Sequence, residues 1–239
     1  GVSVSNMRVR LEDHAYYEVI GMESDGDGGV IITWVIKYKN EQGRLFRQPF
    51  RAQRISPEGE LLWGEEGVEI VSEDSLASFG RIVPDGEGGV IILYYLGGLR
   101  AQRISQNGDK LWGETGVRYM VNSPRFAIPD GSGGVIITVG RGGRGQVRVL
   151  RISADGQLAW GDDEGLLVGD AYRAHESYIV QASDSVFFIN WTGDTDEQPN
   201  PLVQAVDLSG ELIWDWPGVE ISSADSIQYN MRGVASFNS

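Results

Sequence analysis

The sequence predicts an all-β chain built of four repeated, four-stranded antiparallel units, and three observations carry that expectation. A block holding Ser or Asp, a Gly three positions later and a Trp four positions after the Gly occurs four times. An Asp-Gly-x-Gly-Gly cluster leading into a β-branched run precedes three of those blocks. No segment of the 239 residues sustains the 3.6-residue apolar period of a helix.

The first repeat, roughly 14–71, shows the pattern in full. Asp25-Gly26-Asp27-Gly28-Gly29 separates a short apolar run from Val30-Ile31-Ile32, which is a hairpin signal between a first and a second strand. Arg54-Ile55-Ser56-Pro57-Glu58-Gly59 then places a second Gly-bearing turn before Leu62-Trp63-Gly64 and Gly67-Val68. The second repeat, 72–120, restates both blocks as Asp85–Ile92 and Arg103–Val117, with Gly108 and Trp112. Its strands are expected at about Ala77–Val83, Val90–Leu96, Leu99–Ser105 and Lys110–Tyr119. The third, 121–169, does so as Asp130–Ile137 and Arg151–Leu166, with Gly156 and Trp160. The fourth, 170–222, is diverged: Ser183-Asp184-Ser185 shortens the first turn, and Asp207-Leu208-Ser209-Gly210 leads to Trp214. Trp63, Trp112, Trp160 and Trp214 stand 49, 48 and 54 residues apart and are expected buried in the fourth strands.

Repeats of about 40–50 residues with four strands each are the size of propeller blades, whereas solenoid coils run shorter. The expected fold is therefore a β-propeller of four such repeats in one domain, 1–239. Both ends carry leftover strand. Gly1-Val2-Ser3-Val4-Ser5 matches Gly218-Val219-Glu220-Ile221-Ser222, and Ile227–Ser236 matches a first strand. Segments 1–11 and 226–239 thus either meet as a partial fifth blade or pair between chains, because unpaired strand edges recruit partners.

The Asp-Gly-x-Gly-Gly hairpin followed by Gln-Arg-Ile-Ser-x-x-Gly-x-x-x-Trp-Gly-x-x-Gly-Val resembles a propeller-type repeat of bacterial secreted and surface proteins, from about Tyr16 to Ser236. The resemblance implies an extracellular or cell-surface setting, and it implies architecture rather than an activity. The turn Ser153-Ala154-Asp155-Gly156 before Trp160 is also similar to the Asp-box of sialidase-type propellers, with the Gly one position early. Such a box is a structural hairpin.

Composition narrows function by exclusion. A formal net charge of −14 argues against nucleic-acid binding, which needs clustered Lys and Arg. No apolar run approaches a membrane-spanning length. With no Cys and only His14 and His175, thiolate zinc sites and His-rich sites have few ligands to draw on. No catalytic residue and no cofactor is assigned. The chain opens on Gly1 rather than Met, which reads as a processed or excised form.

Several residues still compete for a role. Asp25 and Asp27 resemble the start of a calcium loop but lack the later ligands, so a turn is the favoured reading. Arg54, Arg103 and Arg151, each with an Arg three residues earlier, are expected to pair with acidic turns of a neighbouring blade, because a catalytic centre is unique and these repeat. Trp34, Tyr94, Tyr95 and Trp191 are candidates for stacking on a glycan or anchoring a protein, or else for core. Asn190-Trp191-Thr192 fits the glycosylation acceptor pattern. The reading that fits best is a non-catalytic structural or interaction module that meets a protein partner or itself. The alternative is a carbohydrate-active or glycan-binding propeller whose site lies on axial loops, with Lys37–Phe50 and Gly193–Leu202 the longest.

Overall fold

The computed structural model describes residues 15–39, 45–71, 77–121, 124–140, 145–171, 175–195 and 198–221. The terminal segments 1–11 and 226–239, and with them His14, lie outside the described residues. Among the described residues sixteen strands form four antiparallel sheets of four, each a simple up-and-down meander, the propeller-type repeat that the sequence predicts. The first sheet holds β1 (Ala15–Ser24), β2 (Val30–Lys39), β3 (Leu45–Ile55) and β4 (Val68–Val71). The second holds β5 (Ser78–Pro84), β6 (Val90–Tyr95), β7 (Leu99–Ile104) and β8 (Val117–Tyr119). The third holds β9 (Pro124–Pro129), β10 (Val135–Gly140), β11 (Gly145–Ile152) and β12 (Leu166–Ala171). The fourth holds β13 (His175–Ser183), β14 (Val186–Thr195), β15 (Gln198–Asp207) and β16 (Val219–Glu220).

The chain divides into two compact units, Gly1–Arg118 and Tyr119–Ser239. In the first unit Ile31, Ala52, Trp63 and Ile70 of the first sheet pack on Ile82, Val90, Ile92 and Ile104 of the second. In the second unit the same repeat positions meet: Ile136, Val149, Trp160 and Val168 of the third sheet pack on Ile179, Phe187, Ile189 and Val206 of the fourth. A central strand such as Val90–Tyr94 is buried on both faces, which is why it reads as a continuous apolar run rather than an alternating one.

Two expectations change. The fourth strands are much shorter than Lys110–Tyr119 suggests. Lys110 makes a single bridge to Ile104, and the ladder resumes only at Val117. Between them Gly113 and Gly116 take φ of 76° and 66°, which breaks the extended backbone. The four tryptophans accordingly stand in the connection before the fourth strand, not in it. The second change concerns the two long loops. Most of Lys37–Phe50 is hairpin, with Lys37 paired to Arg47 and Lys39 to Leu45. Gly193 likewise pairs with Asn200, and Thr195 with Gln198. The alternating Lys37-Tyr38-Lys39 run and the apolar Leu45-Phe46 pair suit two paired strands better than an open loop.

Candidate functional site

The chemistry-bearing residues converge at one place in each of the first three repeats, around its first turn. It is built from the Asp-Gly-x-Gly-Gly turn upward. Asp25 folds its carboxylate back over its own turn, where Oδ1 accepts the N–H groups of Asp27 at 2.9 Å and Gly29 at 2.8 Å. Asp85 and Asp130 do the same in their repeats. This close wrap explains the second Gly of each pair: a Cβ on Gly29 would stand 2.4 Å from the Ile55 carbonyl and 2.6 Å from the Asp25 carboxylate.

The free oxygen of each Asp takes an arginine. Arg54 Nε donates to Asp25 at 2.8 Å, Arg103 to Asp85 at 2.9 Å and Arg151 to Asp130 at 3.0 Å. Asp27 and Glu87 cap the outer guanidinium nitrogens of Arg54 and Arg103. The arginines therefore pair with the acidic turn of their own sheet, not of a neighbouring one, because strand-to-strand register sets Arg54 beside Asp25. Burial alone would raise the Asp25 carboxyl and lower the Arg54 guanidinium. Their mutual hydrogen bond and charge outweigh burial, with the turn N–H groups adding to the effect on the carboxyl, so Asp25 lies below the ordinary range and Arg54 above it.

What the neighbouring sheet supplies is a carbonyl. Arg54 Nη1 and Trp63 Nε1 both donate to the Gln106 carbonyl in the next turn, at 3.4 and 2.9 Å. In the second unit Arg151 Nη1 and Trp160 Nε1 donate to the Leu208 carbonyl, at 2.9 and 3.0 Å, and the guanidinium lies 5.9 Å from the indole centroid. The indole also packs on that turn's glycine. A Cβ on Gly108 would stand 3.1 Å from the Trp63 ring, and one on Gly210 would stand 2.8 Å from the Trp160 ring. Gly59, Gly108, Gly156 and Gly210 all take φ between 82° and 92°, and each N–H closes the turn on the Ser or Asp three residues back.

A buried glutamine, for which the sequence suggested no role, holds the tryptophan in place. Gln53 Oε1 accepts the Trp63 N–H at 2.8 Å while its amide donates to the Gly64 carbonyl at 2.6 Å. Gln102 treats Trp112 and Gly113 alike, and Gln204 donates to the Trp214 carbonyl. These side-chain bonds replace ladder bonds where the fourth strand is interrupted. Gln-Arg-Ile at one repeat position was the available signal. The earlier arginines clamp the same connection: Arg51 binds Glu66 and Glu69, Arg100 the Thr115 carbonyl, and Arg148 the Gly165 carbonyl with Asp162 and Glu164.

The fourth repeat changes this assembly. Ala205 stands at the arginine position, and the aspartate of the shortened turn, Asp184, is exposed. Trp214, half-buried, stacks on Phe188 of its own sheet, with centroids 5.4 Å apart and ring planes 20° apart. Trp63, Trp112 and Trp160 are buried.

The remaining candidates are placed as follows. Trp34, Tyr94 and Trp191 share one repeat position in the second strands and are buried in the core, so their faces are not offered to a ligand. The Tyr94 hydroxyl donates to the Thr115 carbonyl. Tyr95 is exposed. Asp25 and Asp27 spend their outward carboxylate oxygens on Arg54, where a cation would meet a guanidinium. Among the described residues no group of three or more His, Asp or Glu is arranged to hold a metal ion. Asn190 is half-buried in a central strand, paired to Tyr178 on one side and Val203 on the other, unlike an acceptor in a surface loop.

No family model matches the chain, and no curated protein matches it. It is similar to a solved structure from Bacteroides caccae described as a protein of unknown function, with 14% identity and a TM-score of 0.36. The match covers 83% of this chain and 60% of that one, so the chain spans less than two thirds of the length of that structure.

Proposed function

We propose that the chain is a non-catalytic propeller-type module of a secreted or cell-surface protein, whose role is to be built into an assembly with copies of itself or with a protein partner. One observation carries this reading. The groups able to do chemistry at repeated positions, the Asp–Arg pairs and the junction tryptophans, are engaged with one another and with the next turn. Each is answered inside the fold. Function then falls to surfaces that the repeats present. The extracellular setting rests on the resemblance of the Gln-Arg-Ile-Ser…Trp-Gly repeat to those of bacterial surface proteins.

Mass in solution tests the reading. The intact chain is expected to associate as concentration rises, and removal of Gly1–Leu11 is expected to weaken that association. An intact chain that stays strictly monomeric at high concentration overturns the self-assembling form. Turnover of any member of a panel of oligosaccharides, abolished by one carboxylate substitution, overturns the non-catalytic form.

A further inference from the structure

We propose that Arg100 and Arg118 form a receptor for paired carboxylates, filled by an acidic segment of a partner protein. The inference deepens the interaction reading above and rests on it, in that it gives the partner a chemistry.

The repeat itself shows what an arginine at this position takes. Arg51, Arg100 and Arg148 hold one place in the third strand of the first three sheets. Arg51 is answered by two carboxylates, Glu66 at 3.3 Å and Glu69 at 3.2 Å. Arg148 is answered by Asp162 at 3.6 Å and Glu164 at 3.4 Å. Glu66 and Glu164 each stand directly before a positive-φ glycine, Gly67 and Gly165, and Glu69 stands two residues after Gly67.

The second repeat keeps the arginine and loses both acids. Thr115 stands before Gly116, in the place of Glu66 and Glu164, and Arg118 stands in the place of Glu69. Arg100 Nη1 is left with the Thr115 carbonyl at 3.1 Å and its hydroxyl at 3.3 Å, both uncharged. The Arg100 Nε is buried without a hydrogen-bond partner, whereas Arg148 Nε donates to Gln146 at 3.2 Å. Arg118 is exposed and donates to the Gly97 carbonyl of the adjoining hairpin. Among the described residues neither guanidinium is paired with a carboxylate.

Two cations thus stand at a place that the first sheet fills with one cation and two anions. Like charges facing each other across a ladder destabilise it. A carboxylate relieves this best, because its two oxygens match the parallel N–H groups of a guanidinium. In a chain of net charge −14 such a spot is a local exception. The form of the ligand follows from the places already filled. Glu66 and Glu69 are three residues apart, and Asp162 and Glu164 two. A short acidic segment with carboxylates at that spacing supplies from a partner what the second repeat does not supply from itself.

Fluorescence anisotropy with a labelled peptide tests the proposal on the full chain. The probe is Gly-Glu-Gly-Gly-Glu-Gly with blocked ends, beside the same peptide carrying Gln for Glu. The unsubstituted chain should bind the Glu peptide and not the Gln peptide. Arg118→Glu puts an acid where the first repeat has Glu69, so it should satisfy Arg100 from within. That variant should bind the Glu peptide about tenfold more weakly or worse, and should melt about 1–3 °C higher by circular dichroism. Lys110→Glu makes the same change of charge at the far end of β7, where Lys110 bridges Ile104, and should leave binding nearly unchanged. Equal binding of the two peptides, or equal loss in the two variants, would overturn the site. An Arg118→Glu chain that melts no higher would overturn its pairing with Arg100. Competition by free succinate at the peptide's own concentration would overturn the protein source, since a small dicarboxylate would then suffice. A chain that ignores the Glu peptide would overturn this inference and leave the assembly reading, which mass in solution decides, in place.

Discussion

The Asp25 carboxylate, its turn N–H groups and Arg54 act as one unit, tied by hydrogen bonds of 2.8 and 2.9 Å. Removing one member of a buried pair leaves an uncompensated charge, which costs about 3–5 kcal/mol. Removing both leaves only lost packing and turn hydrogen bonds. Asp25→Ala and Arg54→Ala should each destabilise by that amount in urea unfolding, and the double variant by clearly less than the sum. Additive costs would show that the two side chains act separately. The pH dependence has a definite sign. Asp25 titrates below its unfolded value of about 3.9, so its contribution is complete above that value and is lost as pH falls through the depressed folded one. Acid unfolding between about pH 4 and the folded value should therefore be shallower for Asp25→Asn than for the unsubstituted chain. Because Arg54 occupies the carboxylates that a calcium ion would need, a chelator should leave the melting temperature unchanged. A fall of many degrees, restored by calcium, would show that the turns hold an ion.

The turn–tryptophan contact inside each unit has a test that separates backbone strain from packing. Gly108 and Gly113 both have positive φ, but a Cβ on Gly113 meets nothing within 4 Å, whereas one on Gly108 presses the Trp63 ring. Gly113→Ala should cost about 1 kcal/mol, the left-handed penalty alone. Gly108→Ala should cost on the order of 2–3 kcal/mol, since the indole must move as well, and equal costs would refute the packing account. Trp112→Ala, which empties a buried site, should cost about 3–5 kcal/mol in the same measurement. These elements were legible in the sequence to different degrees. Hairpin turns were plain, because Asp-Gly-x-Gly-Gly and Ser-x-x-Gly fix local geometry, and strands β5 to β7 fall within about a residue of expectation. The Trp connection was misread as strand, because Gln53 and Gln102 satisfy its backbone from a distance that local pattern does not encode. Trp34, Tyr94 and Trp191 looked available because an aromatic in a β-branched run reads alike whether it faces a ligand or another sheet. Their shared repeat position was the signal that marked them as core.

At the scale of the whole molecule, two opposed effects decide whether copies meet. Exposed apolar side chains such as Ile221, Trp216 and Met22 favour association by taking their surface out of water. The chain carries a net charge of −14, and like-charged copies repel. The first effect is short-ranged and strengthens modestly in salting-out ions, while the second is screened over about 10 Å at 0.1 M salt and reaches about 30 Å at 0.01 M. Added sodium chloride should therefore tighten association, because it removes the repulsion and leaves the apolar contact intact. A docking surface built from complementary charges would respond in the opposite direction, since salt would screen the attraction itself. Sedimentation of the full chain at low and at high salt distinguishes the two. Larger species at high salt are expected, whereas association that dissolves as salt is added would place the contact on charged surface.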